Sequence, residues 1–398
     1  MFSRVEASET RAVESKLSSF FIAGVFFSCA FRDIRFVSFL SPQDIFLIAA
    51  FISLYLSYPP CRSKWKMNQF LLLGIFVFIV FAVFSFLVSR DPVESSFNYA
   101  KVYVAFIILP SAIWMFVNNF EDISFLIWSY LSGILFSCAI TLLFYPGIDS
   151  VRASGFSGHA VFFGMLTSTG IVIVLGKSYK KFRVQVLAFS VVCLASFALA
   201  QSESSTGLVN IAVALLAILI MNIRQRRFLI SMRFWILSVM FFIIAWNSEF
   251  LTTAKSRLYI TFHPQTGYST NRISGTSTIE ARLYSVRFGW ERIKDSLLFG
   301  HGLDTFGRST SIGLEPHNFI VLAWQCGGVL LLFTALIFLF LSMKYFLIFF
   351  RNNYTLGVVV WLVTWLELMT EPLIYERSVL APFFLVCIAS HIQFFKRD

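Results

Sequence analysis

Glu315-Pro316-His317-Asn318, followed by the run FIVLAWQCGGVLLLFTALIFLFLSM over residues 319–343, decides how this chain is read. The run carries no charged side chain. At ~1.5 Å per residue it can cross the ~30 Å hydrocarbon core of a bilayer as a helix. Directly before it lies the long polar segment 251–316. Pro316 suits the first turn of a helix over 317–343, where its missing N–H costs nothing. The junction therefore puts an imidazole at the mouth of a transmembrane helix, facing a cationic extramembrane loop. The positive end of the helix dipole favours a neutral imidazole, and a neutral imidazole serves as a general base. From the residue alone, His317 is either such a base or an interfacial histidine that only caps its helix.

The rest of the chain reads as membrane. It is 58% hydrophobic and 13% charged, with 49 phenylalanines and a mean hydropathy of +0.77. A soluble domain of 398 residues does not have this composition, so an all-α polytopic membrane protein is expected. Barrel strands are excluded because the apolar runs are ~20 residues long and do not alternate. Helices are predicted at 17–31, 43–58, 68–89, 98–118, 123–145, 159–176, 184–200, 206–223, 234–250, 317–343, 355–370 and 378–394, within a single integral membrane domain over 1–398. The first of them reads as an uncleaved helix, because no small-residue cleavage site follows it. Of the six cysteines, Cys61 lies in a basic loop and the others in apolar runs, at no metal-ligand spacing.

Orientation follows from Lys and Arg. With the N-terminus inside, the inner segments hold 18 of them, from Arg4 to Arg397, and the short outer loops hold 6: Arg32, Arg35, Arg90, Lys101, Arg152 and Arg377. Such asymmetry places both termini in the cytoplasm and residues 251–316 in a long outer loop. The net charge of +11 thus reports topology and calls for no nucleic acid. Within the loop, Ile279, Leu283, Val286, Trp290, Ile293 and Leu297 recur at spacings of 4, 3, 4, 3 and 4, an amphipathic helix over 279–298. Arg282 and Arg287 fall on opposite flanks of its apolar stripe, which suits a helix lying on the outer membrane surface with both guanidiniums beside lipid headgroups.

Ionisable residues within or beside the apolar runs are Lys101, Glu203, Glu367, Glu371 and His391. Buried charge in a bilayer is costly and is usually functional or paired. Glu371 and Glu376 with Arg377 read as a solvated cap on a helix hairpin. Glu203 lies in a short outer turn, where it either accepts from a sugar or is merely solvated. Arg152 sits in another outer loop, and its planar guanidinium suits a phosphate. There is no Walker motif, dinucleotide fingerprint or metal-binding Asp pair, so no metal and no cofactor are expected. A substrate activated by a lipid phosphate on the outer face fits these findings.

At this point the sequence resembles the superfamily of O-antigen ligases and Wzy-type polysaccharide polymerases. The resemblance covers 281–330 and rests on Arg282-Leu283, the turn Phe299-Gly300-His301-Gly302-Leu303, and His317-Asn318 followed by Gly327-Gly328. Gly155-Phe156-Ser157-Gly158-His159, then Gly164, is similar to the exopolysaccharide-polymerase (ExoQ-like) branch, although Ala160-Val161 stands where Lys-Asn is common. The acid at Glu371 is a second likeness to that branch. Ligases of the group commonly carry an arginine in the outer turn before the helix at 206–223, where this chain has Glu203 or Ser204.

The resemblance implies a metal-independent, GT-C-like glycosyltransferase acting on undecaprenyl-diphosphate-linked glycans at the periplasmic face of the bacterial inner membrane. His317 would be the base, and Arg282 would neutralise the departing diphosphate. Arg152, Arg287, His159, Glu203, Asn318 and Glu371 would contact substrate. A polymerase of surface polysaccharide or exopolysaccharide, with the bilayer and a chain-length regulator as partners, is the leading expectation. A ligase delivering glycan to lipid A-core is the second. A transporter is the third, but the symmetric halves and paired helix breaks of transporters are not evident.

Overall fold

A computed structural model describes residues 16–31, 34, 41–57, 69–89, 91–144, 154, 156, 160–177, 182–202, 204–225, 259, 278–303, 316–371 and 376–395. All regular structure among them is helical. The helices are α1 (Lys16–Ala30), α2 (Pro42–Ser57), α3 (Gln69–Val88), α4 (Pro92–Phe116), α5 (Phe120–Phe144), α6 (Ala160–Gly176), α7 (Phe182–Ser202), α8 (Ser205–Arg224), α9 (Thr278–Asp295), α10 (Phe319–Arg351), α11 (Thr355–Thr370) and α12 (Arg377–Phe395). Five of them are long and apolar enough to cross a membrane, and α1, α2, α6, α11 and α12 are shorter apolar helices. The chain is a multi-pass membrane protein. Eleven of the twelve predicted apolar segments coincide with helices; the twelfth, 234–250, lies outside the described residues.

Local chemistry sets the helix starts. Asp91 accepts from the backbone of Val93 and Glu94 at 3.1 Å, with Pro92 opening α4. Ser204 accepts from Gly207 at the start of α8. Asn318 accepts from Ile320 and Val321 and so caps α10. Such caps satisfy backbone N–H groups that a helix leaves unpaired at its first turn. The helix therefore begins at Phe319, not at 317, and Pro316 stands ahead of the cap instead of within the first turn. In α4 a π-helical turn at Val104–Ile108 directly precedes Pro110. Proline has no N–H to complete an α-helical turn there, and the wider turn takes up the defect.

Helix α8 packs between α6 and α11, and α11 continues against α10 and α12. One end of the bundle gathers the start of α8, the end of α11, helix α9 and the start of α10. The other end gathers Lys177, which donates to Ser124 Oγ at 2.8 Å, and Gln225, which donates to Asn353 O and Thr355 Oγ1 at 3.0 Å.

Helix α10 is broken in its first third. Gly327 and Gly328 leave helical geometry, with Gly328 at φ 64° and ψ −157°. A break at membrane depth strands backbone groups that lipid cannot satisfy. Here the segment Leu297–Leu303 satisfies them. His301 N donates to Gln325 O at 2.8 Å, Gly302 N to Cys326 O at 2.9 Å, and Val329 N to Leu297 O at 3.1 Å. Asn98 Nδ2 ties the far side of this strap to α4 through Leu303 O. The predicted helix at 317–343 is thus two helical pieces joined across a glycine pair, and the Gly-x-Gly turn is its hydrogen-bonding partner.

The predicted amphipathic helix over 279–298 is α9. Its packed face is Ser285, Gly289 and Ile293, against α10; Leu283 is 64% exposed, and Trp290 sets its ring edge-to-face on Trp324 of α10 with the centroids 5.2 Å apart. The apolar stripe is divided, with Leu283 and Leu297 exposed and Ile293 buried, and Arg282 turns inward.

At Gly328 a Cβ would sit 2.0 Å from Leu298 O on a backbone that essentially only glycine adopts. Gly328→Ala is expected to lower stability by at least about 1–3 kcal/mol from the backbone alone, read as a fall in the thermal midpoint of the detergent-purified protein.

Candidate active site

The end of α11 is the anchor of the site. Its last helical residue is Thr370, and Glu371 continues in extended geometry (φ −137°, ψ 152°). The Thr370 carbonyl is therefore one of the orphan acceptors that a helix C-terminus leaves. The Glu371 carboxylate is almost buried, with 9% of its side chain exposed. It meets groups from three other segments. Arg282 Nη2 of α9 lies 2.5 Å from Oε1. Thr206 Oγ1 of α8 donates to the same oxygen at 3.4 Å. His317 Nδ1 lies 3.3 Å from Oε2 and 3.1 Å from Thr370 O.

These contacts overturn the reading of Glu371 as a solvated cap with Arg377. Arg377 pairs instead with Asp44 at the start of α2, and Glu371 faces the bundle. The physical reason is the guanidinium of Arg282, which turns inward from α9 and supplies the counter-charge that a nearly buried carboxylate needs. For the same reason the guanidinium of Arg282 turns toward the bundle, with 24% of its side chain exposed, instead of extending freely from the flank of α9.

The imidazole's tautomer follows from its partners. A carbonyl and a carboxylate paired with a guanidinium both accept, so Nδ1 carries a proton, and in the neutral imidazole the lone pair is on Nε2. This is the arrangement in which an acidic group orients a histidine base. The backbone of His317 is held as well, donating to Ser285 Oγ at 3.3 Å, while that hydroxyl donates to Arg282 O. Gly289 makes the approach possible: a Cβ there would lie 2.7 Å from Pro316 Cγ and 3.0 Å from Val321 Cγ1. Arg282 Nη2 also donates to Thr206 Oγ1 at 2.9 Å. Both Nη2 hydrogens are thereby used, and among the described residues Nη1 and Nε have no partner.

The other predicted site residues fare differently. Asn318 is committed to capping α10 through Oδ1, and its Nδ2 reaches Met369 Sδ at 3.6 Å. Arg287 is not brought to the site; its side chain is 81% exposed and pairs with Glu291 one turn away. Arg152, His159 and Glu203 lie outside the described residues. Sequence reasoning assigned no role to Thr206, Ser285 or the Thr370 carbonyl. The available signal was the i, i+4 spacing of Thr206 with Asn210, and of Glu367 with Glu371, inside otherwise apolar helices.

Residues 189–336 match the family model described as O-antigen ligase (Wzy_C). That stretch contains Thr206, Arg282, the Gly-x-Gly strap, His317 and the Gly327–Gly328 break; Glu371 lies beyond it. The match supports the O-antigen ligase and Wzy superfamily as the family of this chain, and with it a membrane enzyme of polysaccharide assembly. No curated protein matches the chain significantly.

Gly289→Val should push α9 away from Pro316 and separate Arg282 from His317. A displacement of ~1 Å at a catalytic group costs up to ~10²-fold in rate. Expected is a loss of that order in high-mass polysaccharide on a gel, at unchanged membrane insertion, with Gly289→Ala intermediate.

Proposed function

We propose that the chain is a Wzy-type polymerase that joins undecaprenyl-diphosphate-linked oligosaccharide repeats into a surface polysaccharide or exopolysaccharide, without a metal, at the periplasmic face of the bacterial inner membrane. The observation that carries this reading is the His317–Glu371–Arg282 cluster, a base and a guanidinium held on one carboxylate. In this reading His317 Nε2 takes the proton of the acceptor sugar hydroxyl as its oxygen attacks the anomeric carbon. The bond from that carbon to the phosphate oxygen breaks, and the diphosphate leaves with the electron pair. The Nη1 and Nε donors of Arg282 bind the charge that develops there. Diphosphate is a good leaving group, so no strong general acid is required. The outward side of α9, with Leu283 and Trp290 exposed, supports contact with lipid and brings the guanidinium to the height of a lipid diphosphate. Arg152, His159 and Glu203 complete the glycan contacts in this reading, with a chain-length regulator as partner protein.

A ligase that transfers finished glycan to lipid A-core is the second reading, favoured by the description of the matched family. The polymerase reading is preferred because the outer turn before α8 holds Glu203-Ser204, where ligases of the group commonly carry an arginine, and Ser204 is engaged in capping α8.

The test is transfer by purified variants in proteoliposomes, with lipid-linked repeats and a chelator present throughout. His317→Ala should lose about 10²–10⁴ in rate, the usual contribution of a general base. Arg282→Lys should lose most of the activity, because a point charge replaces a planar fork that already serves Glu371 and Thr206. Exposed Lys294 is the control, and Lys294→Ala should match the parent. A ladder of repeats on the lipid carrier marks a polymerase; glycan on a second lipid acceptor marks a ligase. Parent activity abolished by the chelator would sink the metal-independent reading.

Orientation has its own test. Glu280→Cys, at an exposed position of α9, should react with a membrane-impermeant maleimide in intact spheroplasts. Labelling that appears only after lysis would invert the topology.

A further inference from the structure

One helical turn deeper than the cluster, between α6, α8 and α11, lies a carboxyl group that the transfer step does not use. Glu367 is 1% exposed, in the apolar body of α11. Its Oε1 accepts from Asn210 Nδ2 at 2.7 Å and from Thr169 Oγ1 at 3.0 Å. The same Asn210 amide donates to Ser168 Oγ at 3.1 Å. An acid placed there, in a helix that is otherwise apolar along this stretch, is costly in a bilayer protein and calls for a reason.

The reason lies in the pairing of the two helices. Thr206 and Asn210 stand four apart on α8, and Glu367 and Glu371 four apart on α11. Helix α8 runs away from the site and α11 runs toward it. Thr206 therefore meets Glu371, and Asn210 meets Glu367, as two rungs about 6 Å apart. The upper rung carries the guanidinium of Arg282. The lower rung joins Glu367 to two neutral donors, and among the described residues no cation pairs with it. What those donors require at position 367 is an acceptor at a fixed height, not a charge. Sliding or rotating α11 against α8 would break both rungs, and no lipid group could replace the lost hydrogen bonds. The height of α11 matters to the chemistry because its end supplies both acceptors of His317 Nδ1, Thr370 O and Glu371 Oε2. Glu367 is also continuous with that end, since its carbonyl accepts from Glu371 N at 2.9 Å.

We propose that Glu367, locked by Asn210 and Thr169, is a positioning residue of the transfer site: it sets the register of α11 on α8 and thereby the two oxygens that orient the His317 imidazole. This rests on the reading of His317 as the base.

Two measurements on the full-length protein test it. The first is kcat and KM for a lipid-linked donor in proteoliposomes. The second needs no substrate: the rate at which diethyl pyrocarbonate modifies His317, read by mass spectrometry. Glu367→Gln keeps the acceptor and should resemble the parent in both. Glu367→Leu should lose about 10²-fold in kcat at unchanged KM, the scale of a ~1 Å displacement. It should also modify several-fold faster at His317, because the imidazole is released from its acceptors. If Glu367→Leu fails to insert, Asn210→Ala, which removes the shorter bond and leaves Glu367 and Thr169 in place, carries the same expectations. Unchanged kcat in the inserted variant, or a loss confined to KM, overturns the proposal. So does a Glu367→Gln protein as inactive as Glu367→Leu, since that would make a charge or a proton the essential property. A parent protein without transfer activity, but with the expected labelling pattern, would refute the polymerase and ligase readings while leaving the positioning intact. Transfer with labelling indifferent to position 367 would overturn the positioning alone.

Discussion

The carboxylate of Glu371 accepts from Arg282 and Thr206 and faces the imidazole of His317. Four segments far apart in sequence thereby meet at one end of the bundle. A nearly buried carboxylate is tolerable only with a counter-charge and well-filled lone pairs, and breaking such a pair from one side typically costs about 3–5 kcal/mol. The C-terminal end of α11 adds its own partial negative charge at the same place, so a cation is needed there twice over. A guanidinium meets this need in a way that an ammonium does not. One nitrogen satisfies Glu371 and Thr206 together, and the fork still has donors left.

The second constraint is the bilayer. Lipid offers no hydrogen bonds, so every break in a spanning helix must be repaired by protein. The break in α10 at Gly327–Gly328 is repaired by backbone bonds from His301 and Gly302 and to Leu297. The repair fastens the strap that follows α9 to the first piece of α10. Arg282 on α9 and His317 just ahead of α10 are then held at a fixed separation, and Gly289 lets the two elements close to contact at Pro316. Backbone hydrogen bonding thus sets the distance between imidazole and guanidinium, and the side chains only complete it.

Helix α9 shows how close packing by small residues changes the meaning of amphipathicity. In water the apolar stripe of a helix faces the protein. Here Leu283 and Leu297 stay exposed, and the small and polar face of Ser285 and Gly289 packs inward. Close packing by small residues is what drives association where lipid is as apolar as the protein. It also leaves room on the inward face for Arg282.

The sequence by itself determined the class and the positions of the apolar helices, because runs of ~20 apolar residues have no other stable outcome than membrane helices. It also marked His317, Arg282, the Gly-x-Gly turn and the glycine pair, through a resemblance that the family match supports. Only the tertiary structure decided what these residues do to one another. Whether Glu371 is a solvated cap or the centre of the site depends on which cation reaches it, and Arg282 lies 89 residues away in sequence. Whether Arg282 or Arg287 turns inward depends on which side of α9 is small enough to pack, a choice the apolar stripe alone misjudges. The continuity of α10 and the role of Thr206, Asn210 and Glu367 are of the same kind. Each is a hydrogen bond between elements that the linear pattern lists but does not pair.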